Sequence, residues 1–344
     1  MRKNDTLQLT KLRAFTAQHR TLVLALVLAL VAAVPLVGIK SSTIRILCRI
    51  LMYCTLAGSL NVINGYTGMG CIGYAGFFAV GAYTMAILST KLGWSFWLIL
   101  PLAGLLTAAV GVLICAPTLK MKGIYLSLIT LGASETIRIL ALNWTELTGG
   151  PYGIKNIPRP TLFGYVIKRP EEFYYMFLLI GLLFLFVTAR TLKSRVGRAW
   201  ISIREDELAA RSLGVNLKTY KMVNFAYATF WAGLIGAMYA AYLQYIDSSA
   251  FNTDEGFNIL SMVIIGGQGT LVGPIIGSVI VNFLTEALRS IGQWRYVAYG
   301  ALIIAMMWWR PQGLAGASNS VLAGSKLRKQ KQKQKQEQEE EDTE

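Results

Sequence analysis

Hydrophobic and polar positions divide the chain into long apolar stretches separated by short polar connections. A helix needs about 20 mostly apolar residues to cross the hydrocarbon of a bilayer. The alternation typical of barrel strands is missing. We therefore expect an all-α polytopic membrane protein with about 8–10 transmembrane or half-membrane helices. The pattern predicts spans near residues 21–39, 46–63, 70–89, 96–115, 124–142, 173–189 and 220–243, a longer apolar stretch at 257–289, and a final span at 295–309.

The stretch 257–289 is too long for one straight span, and glycines interrupt it. The piece before the interruption has about ten residues, which cover only about half of the hydrocarbon thickness. We expect the whole stretch 257–289 to enter the membrane from outside, turn within it at the glycines and return to the outside. Irregular backbone must be buried in protein or line a cavity there. The residues assigned to this second break are Gly266, Gly267, Gly269, Gly273 and Pro274.

A similar glycine-rich break lies in the first half of the chain, and the predicted topology reaches it from the cytoplasmic side. Glycine-interrupted segments at corresponding places in two halves are typical of a transporter's substrate path. Two separate close-packed helix interfaces would use glycine equally well. On the first interpretation, the two breaks approach each other or the path near mid-membrane. The residues assigned to the first break are Gly65, Gly68, Gly70 and Gly73.

Residues 190–221, here called the basic loop, form a long polar segment with eight basic residues. The spacing of Ser202 and Glu205 fits a capping box, and Gly214 fits a helix stop. Together they predict one helix over about residues 203–213. Ala209 and Ala210 are small enough to let a partner approach closely. The loop is either a docking surface or an ordinary solvated loop.

Charge sets the expected orientation. The chain is 54% hydrophobic and 15% charged, with a net charge of +15. Basic loops favour the cytoplasmic side, so they indicate membrane orientation and not nucleic-acid binding. We expect both termini and the basic loop in the cytoplasm, and residues 143–172 and 244–256 outside. The chain then divides into a basic arm (1–20), a transmembrane domain (21–315) and a charged tail (316–344).

Two charge pairs lie in apolar sequence, Glu135 with Arg138 and Glu286 with Arg289. Residues three apart are neighbours on a helix. Charged residues in membrane helices face the bundle interior or water. Mutual neutralisation within each pair is favoured over contact with a substrate.

The sequence contains no G-x-x-x-x-G-K-[ST] phosphate loop, and its four cysteines are scattered through apolar stretches. We expect no cofactor and no metal site, and we do not expect the chain to be an enzyme. A stand-alone channel or secondary carrier stays open, but broken segments beside a docking loop favour a pore subunit driven by a separate motor.

Several stretches carry a family resemblance: 65–83, 121–138, 148–154, 197–214, 266–277 and 309–313. With them the chain resembles the permease subunits of branched-chain amino acid ABC transporters, in particular the longer of the two paired permeases. The resemblance implies a bacterial inner-membrane protein with a second homologous permease subunit, two ATP-binding subunits and an external solute-binding protein. Related permeases carry urea or short amides. The family's ATPase-contacting loop corresponds to Glu207, Ala209, Ala210 and Gly214, although Leu208 separates Glu207 from the alanines.

Overall fold

The computed structural model describes residues 40–119, 121, 124–162, 164–288 and 313–315, with isolated positions at 35, 297, 300, 301, 304 and 308. The predicted arm 1–20 and tail 316–344 lie outside the described residues. So do the predicted spans 21–39 and 295–309, apart from those isolated positions.

The described residues form a helical bundle with very little strand. The predicted class, an all-α polytopic membrane protein, is confirmed. Within the described part of the chain, four helical stretches are long and apolar enough to cross a membrane: Ser41–Tyr66, Phe96–Thr118, Tyr125–Asn143 and Pro170–Lys193. The helices are α1 (Ser41–Asn61), continued by a π-helical turn (Val62–Tyr66), α2 (Tyr74–Lys91), α3 (Phe96–Thr118), α4 (Ile124–Asn143), α5 (Thr145–Thr148), α6 (Pro170–Lys193), α7 (Arg195–Glu205), α8 (Glu207–Ser212), α9 (Leu217–Leu243), α10 (Thr253–Gly266) and α11 (Gly273–Ala287).

Helix α9 lies at the centre of the bundle and packs mainly against α2 and α3. Its 27 residues make it about 40 Å long, enough to cross a bilayer. Small residues allow the backbones to touch: a Cβ added to Gly81 of α2 would lie 2.5 Å from the Cα of Gly233. Small-residue contacts of this kind replace the hydrophobic driving force that is absent between helices in lipid.

Two connections meet at the end of the bundle away from the basic loop. Strand β1 (Ile154–Lys155) pairs antiparallel with β4 (Tyr245–Ile246). A second small hairpin joins β2 (Thr161–Leu162) to β3 (Tyr165–Val166). The β1–β4 pair brings the connections after α5 and after α9 together on one face of the bundle, as the predicted topology requires.

Helices α1 and α10 run in the same direction. The Tyr53 hydroxyl, in the middle of α1, donates a 2.6 Å hydrogen bond to Glu255 in the first turn of α10. At the far end, Gly65 contacts Gly269 just after α10. Helix α10 therefore begins deep in the bundle beside the middle of α1. Because α10 starts deep in the bundle, it reaches the basic-loop end although it is short. Both glycine breaks lie at that end.

Candidate functional site

Between α6 and α9, the basic loop contains two helices, α7 and α8, and α7 begins earlier than the sequence predicts. The Ser194 hydroxyl caps α7 by accepting a hydrogen bond from the backbone N–H of Val196, at 3.2 Å. Trp200 is fully buried, and its indole N–H donates to the carbonyl of Tyr220 at 3.0 Å. The buried indole anchors α7 against the start of α9.

The predicted capping box at Ser202 and Glu205 is wrong. Ser202 lies inside α7, and its hydroxyl donates to the carbonyl of Ala199 at 2.9 Å. The chain breaks instead at Asp206, whose carboxylate accepts from the N–H groups of Leu208 and Ala209 at 2.8 and 3.1 Å. Asp206 is thus the N-cap of α8, and the predicted helix over 203–213 is two helices.

The predicted helix stop at Gly214 is confirmed. Its φ is +83°, in the left-handed region that favours glycine. The N–H of Val215 donates to the carbonyl of Ala210, and the N–H of Gly214 to that of Arg211, both at 3.0 Å. These two bonds form a Schellman motif, which fixes the end of α8.

The exposed surface of α8 differs from the prediction at one alanine. Ala209 is exposed, with Leu208 and Leu213 beside it at 69% and 82% exposure. Ala210, however, is only 2% exposed. The expectation that Ala210 faces a partner is therefore wrong, because the helix starts at Asp206 and its side chains are rotated accordingly. Leu208, Ala209 and Leu213 form an exposed apolar surface that faces away from the bundle and is here called the apolar tip.

A charge pair holds α8 onto the bundle. The Nζ of Lys221, which is 5% exposed, lies 2.6 Å from a carboxylate oxygen of Glu207. Next to the pair is a cavity of about 440 Å³ at the end of α3. Its lining residues are Leu119, Glu207, Arg211, Gly214, Val215, Asn216, Leu217, Lys218 and Lys221.

The two glycine breaks touch each other. The side-chain amide of Asn61 donates to the carbonyl of Thr270 at 2.8 Å, and its oxygen accepts from the N–H of Gly269 at 2.9 Å. A Cβ added to Gly65 would clash with the nitrogen of Gly269 and lie 2.9 Å from its Cα. The predicted approach is confirmed. The contact lies near the basic loop, since Arg204 reaches the carbonyl of Gly65. Its predicted mid-membrane depth stays a prediction.

The remaining break residues take distinct positions. Gly68 is exposed with φ +70°, and Gly70 is half-buried. Gly73 has no room for a Cβ against the carbonyl of Thr130 in α4. In the second break, Gly267 has φ +114°, and additional Cβ atoms on Gly266 and Gly273 would clash with backbone. Pro274, in the first turn of α11, is buried.

Sequence reasoning missed the residue that joins the loop to the breaks. Arg204 of α7 donates a hydrogen bond of 2.8 Å from its Nη1 to the carbonyl of Gly65. Three chain-distant segments meet here, and no local pattern connects them.

The first charge pair behaves as predicted. The Nε of Arg138 donates to Glu135 at 2.9 Å, and the hydroxyl of Thr253 donates to the other Glu135 oxygen at 3.5 Å. Glu286 lies 3.8 Å from Arg49 of α1. Its predicted partner, Arg289, lies outside the described residues.

The bundle, the α10–α11 hairpin and the capped loop helices are typical of a multi-pass membrane permease. The family profile described as "Branched-chain amino acid transport system / permease component" matches residues 42–307. The chain belongs to this family of permease components of branched-chain amino acid transport systems.

Its relatives agree with that assignment. The chain is 37% identical over 322 residues to the high-affinity branched-chain amino acid transport system permease protein LivM of Escherichia coli K12, covering 87% of this chain and 75% of the relative. It is 38% identical to the Salmonella typhimurium LivM, covering 80% of this chain and 70% of the relative. It is 25% identical to the autoinducer 2 import system permease protein LsrC of Salmonella typhimurium, covering 60% of this chain and 62% of that one. No solved structure matches the chain.

Proposed function

We propose that this protein is a transmembrane subunit of an ATP-driven importer that moves branched-chain amino acids into the cytoplasm of a bacterium across its inner membrane. ATP hydrolysis takes place on two separate ATP-binding subunits. A second, homologous permease completes the path, and an external solute-binding protein delivers the substrate.

One observation carries the motor-driven part of this proposal: the apolar tip of α8 on a rigidly capped loop. Leucine side chains that are 69% and 82% exposed on a polar loop are suited to burial against a partner protein. The lining of the cavity beside the tip includes two basic side chains, Arg211 and Lys218. An ATP-binding subunit with apolar and acidic groups at its docking surface fits both features.

The path itself runs along the two breaks. Irregular backbone in a membrane protein is tolerated where it is buried in protein or lines a cavity. The contact between Gly65 and Gly269 closes the bundle at the basic-loop end. Towards the opposite end, Glu255, Tyr53 and the Glu135–Arg138 pair supply polar groups along α1, α4 and α10.

The choice of solute is tested on the binding protein, which sets most of the selectivity in such a system. A ligand screen on the cognate binding protein should return leucine, isoleucine or valine. Binding of urea or a short amide alone would assign the complex to another substrate of the same family.

The requirement for a motor is tested by reconstitution. The complete complex in proteoliposomes should take up the solute only when ATP is present on the side of the membrane where the ATP-binding subunits lie. The permease chain reconstituted alone should not transport. Uptake by the chain alone without nucleotide would instead identify a channel or secondary carrier.

A further inference from the structure

Arg204 fills the space that two glycines, Gly68 and Gly269, leave open between the loop and the breaks. Its Nη1 lies 2.8 Å from the carbonyl oxygen of Gly65. A Cβ added to Gly269 would lie 2.6 Å from the same nitrogen, and a Cβ added to Gly68 would lie 3.0 Å from the Arg204 Cγ. The arginine side chain is only 22% exposed. It therefore points into the junction between the two breaks and not into solvent.

The guanidinium binds two acceptors in different surroundings. Its Nη2 lies 2.8 Å from the carboxylate of Glu205, which is on the solvent side. Its Nη1 binds a carbonyl of the π-helical turn Val62–Tyr66, where the regular helical hydrogen bonding changes. A planar guanidinium can hold both acceptors at once, whereas an ammonium group lacks this fixed fork. The hydrogen bond to Gly65 is charge-assisted and therefore stronger than a neutral one.

Helix α7 can transmit a displacement to this contact. Its buried Trp200 and Ile203 pack against the bundle, and the ends of the helix are fixed at Ser194 and Asp206. Arg204 lies two residues before Asp206, where α7 gives way to α8 and its apolar tip. A movement of the tip would therefore reach Arg204 before the rest of α7.

We propose that Arg204 is a positioning residue that couples movement of the basic loop to the opening and closing of the two glycine breaks. With the guanidinium on Gly65, the first break is supported from the loop side, while Asn61 bonds the second break at Gly269 and Thr270. When a partner displaces α8, the guanidinium shifts, and the first break loses this support and can move away from the second. This inference rests on the proposed function, since it requires a motor that moves the loop.

The test compares three variants in the complete complex with its binding protein, in proteoliposomes. Arg204→Met removes the hydrogen bond and keeps most of the apolar stem. Arg204→Lys keeps a donor without the fork. Arg195→Met is the matched control, since Arg195 is an exposed arginine at the other end of α7. The measured quantity is the number of solute molecules imported per ATP hydrolysed.

For Arg204→Met we expect this ratio to fall by about tenfold while hydrolysis continues, the scale of one charge-assisted hydrogen bond. The solute concentration at half-maximal uptake should stay unchanged. Arg204→Lys should give an intermediate ratio, and Arg195→Met should match the wild type. A wild-type ratio in Arg204→Met would overturn the proposal, as would a changed half-maximal concentration with a normal ratio, which would assign Arg204 to solute contact.

If Arg204→Met does not assemble, the Arg204→Lys ratio decides: a reduced ratio supports the coupling role and a wild-type ratio overturns it. Failure of the proposed function looks different. In that case the unmodified complex would show no ATP-dependent import. No number of solute molecules imported per ATP could then be calculated for any variant.

Discussion

The contact between the two breaks depends on single residues that lack a side chain. At Gly65 any Cβ would clash with the backbone of Gly269. At Gly269 the φ of +75° adds about 1–2 kcal/mol of strain for an L-residue. Neither position can accept a side chain without moving one break away from the other.

Substituting Gly269 should impair transport more than assembly. In Gly269→Leu the side chain meets the flexible end of Arg204 and the Gly65 carbonyl, so the breaks shift apart locally. We expect uptake to fall by about tenfold or more, the factor that corresponds to about 1.4 kcal/mol. Uptake and the amount of purified complex are measured together.

The control is Gly132→Leu in α4, where an added Cβ has nothing within 4 Å. It should transport normally. Normal uptake by Gly269→Leu would remove the close-approach role from this turn. Loss of the complex itself would show that the two breaks serve packing alone.

The neighbouring alanines of α8 should respond differently to the same substitution. Ala209→Arg adds a charged side chain on the exposed tip, where the fold tolerates it. Permease assembly should stay intact while co-purification of the ATP-binding subunits and uptake are lost. Ala210→Arg forces a charge into a site that is 2% exposed, which costs several kcal/mol, so the permease itself should become scarce. Wild-type co-purification and uptake in Ala209→Arg would identify the loop as an ordinary solvated one.

At the scale of elements, the basic loop acts through the break between α7 and α8. Asp206 has φ −159° and ψ +116°, so the helical phase of α7 does not continue into α8. Each helix therefore has its own buried face, with Trp200 in the first and Ala210 in the second. The two faces fix the apolar tip relative to Arg204.

Removing the cap of α8 tests where that helix begins. Asp206→Ala should destabilise α8 by about 1 kcal/mol, because two backbone N–H groups lose their acceptor. Hydrogen exchange of the amides of Leu208 and Ala209 should become faster by about fivefold, the factor for that energy. Ser202→Ala is the control, since Ser202 lies within α7 and bonds only to a preceding carbonyl. Faster exchange in Ser202→Ala and unchanged exchange in Asp206→Ala would restore the capping box at 202–205.

Patterns within single segments were predictable, and contacts between segments were not. Apolar length placed the described spans, and glycine spacing placed both breaks and the stop at Gly214, because these are local properties of the chain. The Ser202–Glu205 spacing occurs inside helices as well as at their starts, so it misplaced the cap. The Arg204–Gly65 contact joins residues 139 positions apart, which no periodicity encodes. By contrast, Asn252 caps α10 three residues before Glu255, a signal that the sequence contained.

At the scale of the whole molecule, two connections that lie on the same face of the bundle must be separated by an even number of crossings of the chain. Residues 143–172 and 244–256 are joined by the β1–β4 pair. Between these strands the chain crosses the bundle twice, in α6 and α9, with the basic loop at the far end. Leu119, at the end of α3, lines the same cavity as Glu207, which places the end of α3 on the basic-loop face.

This arrangement predicts where reporters fused into the loops will be found. A reporter at Asp206 should be cytoplasmic, because basic connections are retained on that side. Reporters at Ile157 and Ser249 should both be outside, since their segments are joined through β1 and β4. An alkaline phosphatase and a fluorescent protein, active on opposite sides, are fused in parallel at each position. Opposite locations for Ile157 and Ser249 would contradict the fold, because paired strands share a face. An external reporter at Asp206 with both others internal would keep the fold and reverse its orientation, and no ATP-binding subunit in the cytoplasm could then reach the apolar tip.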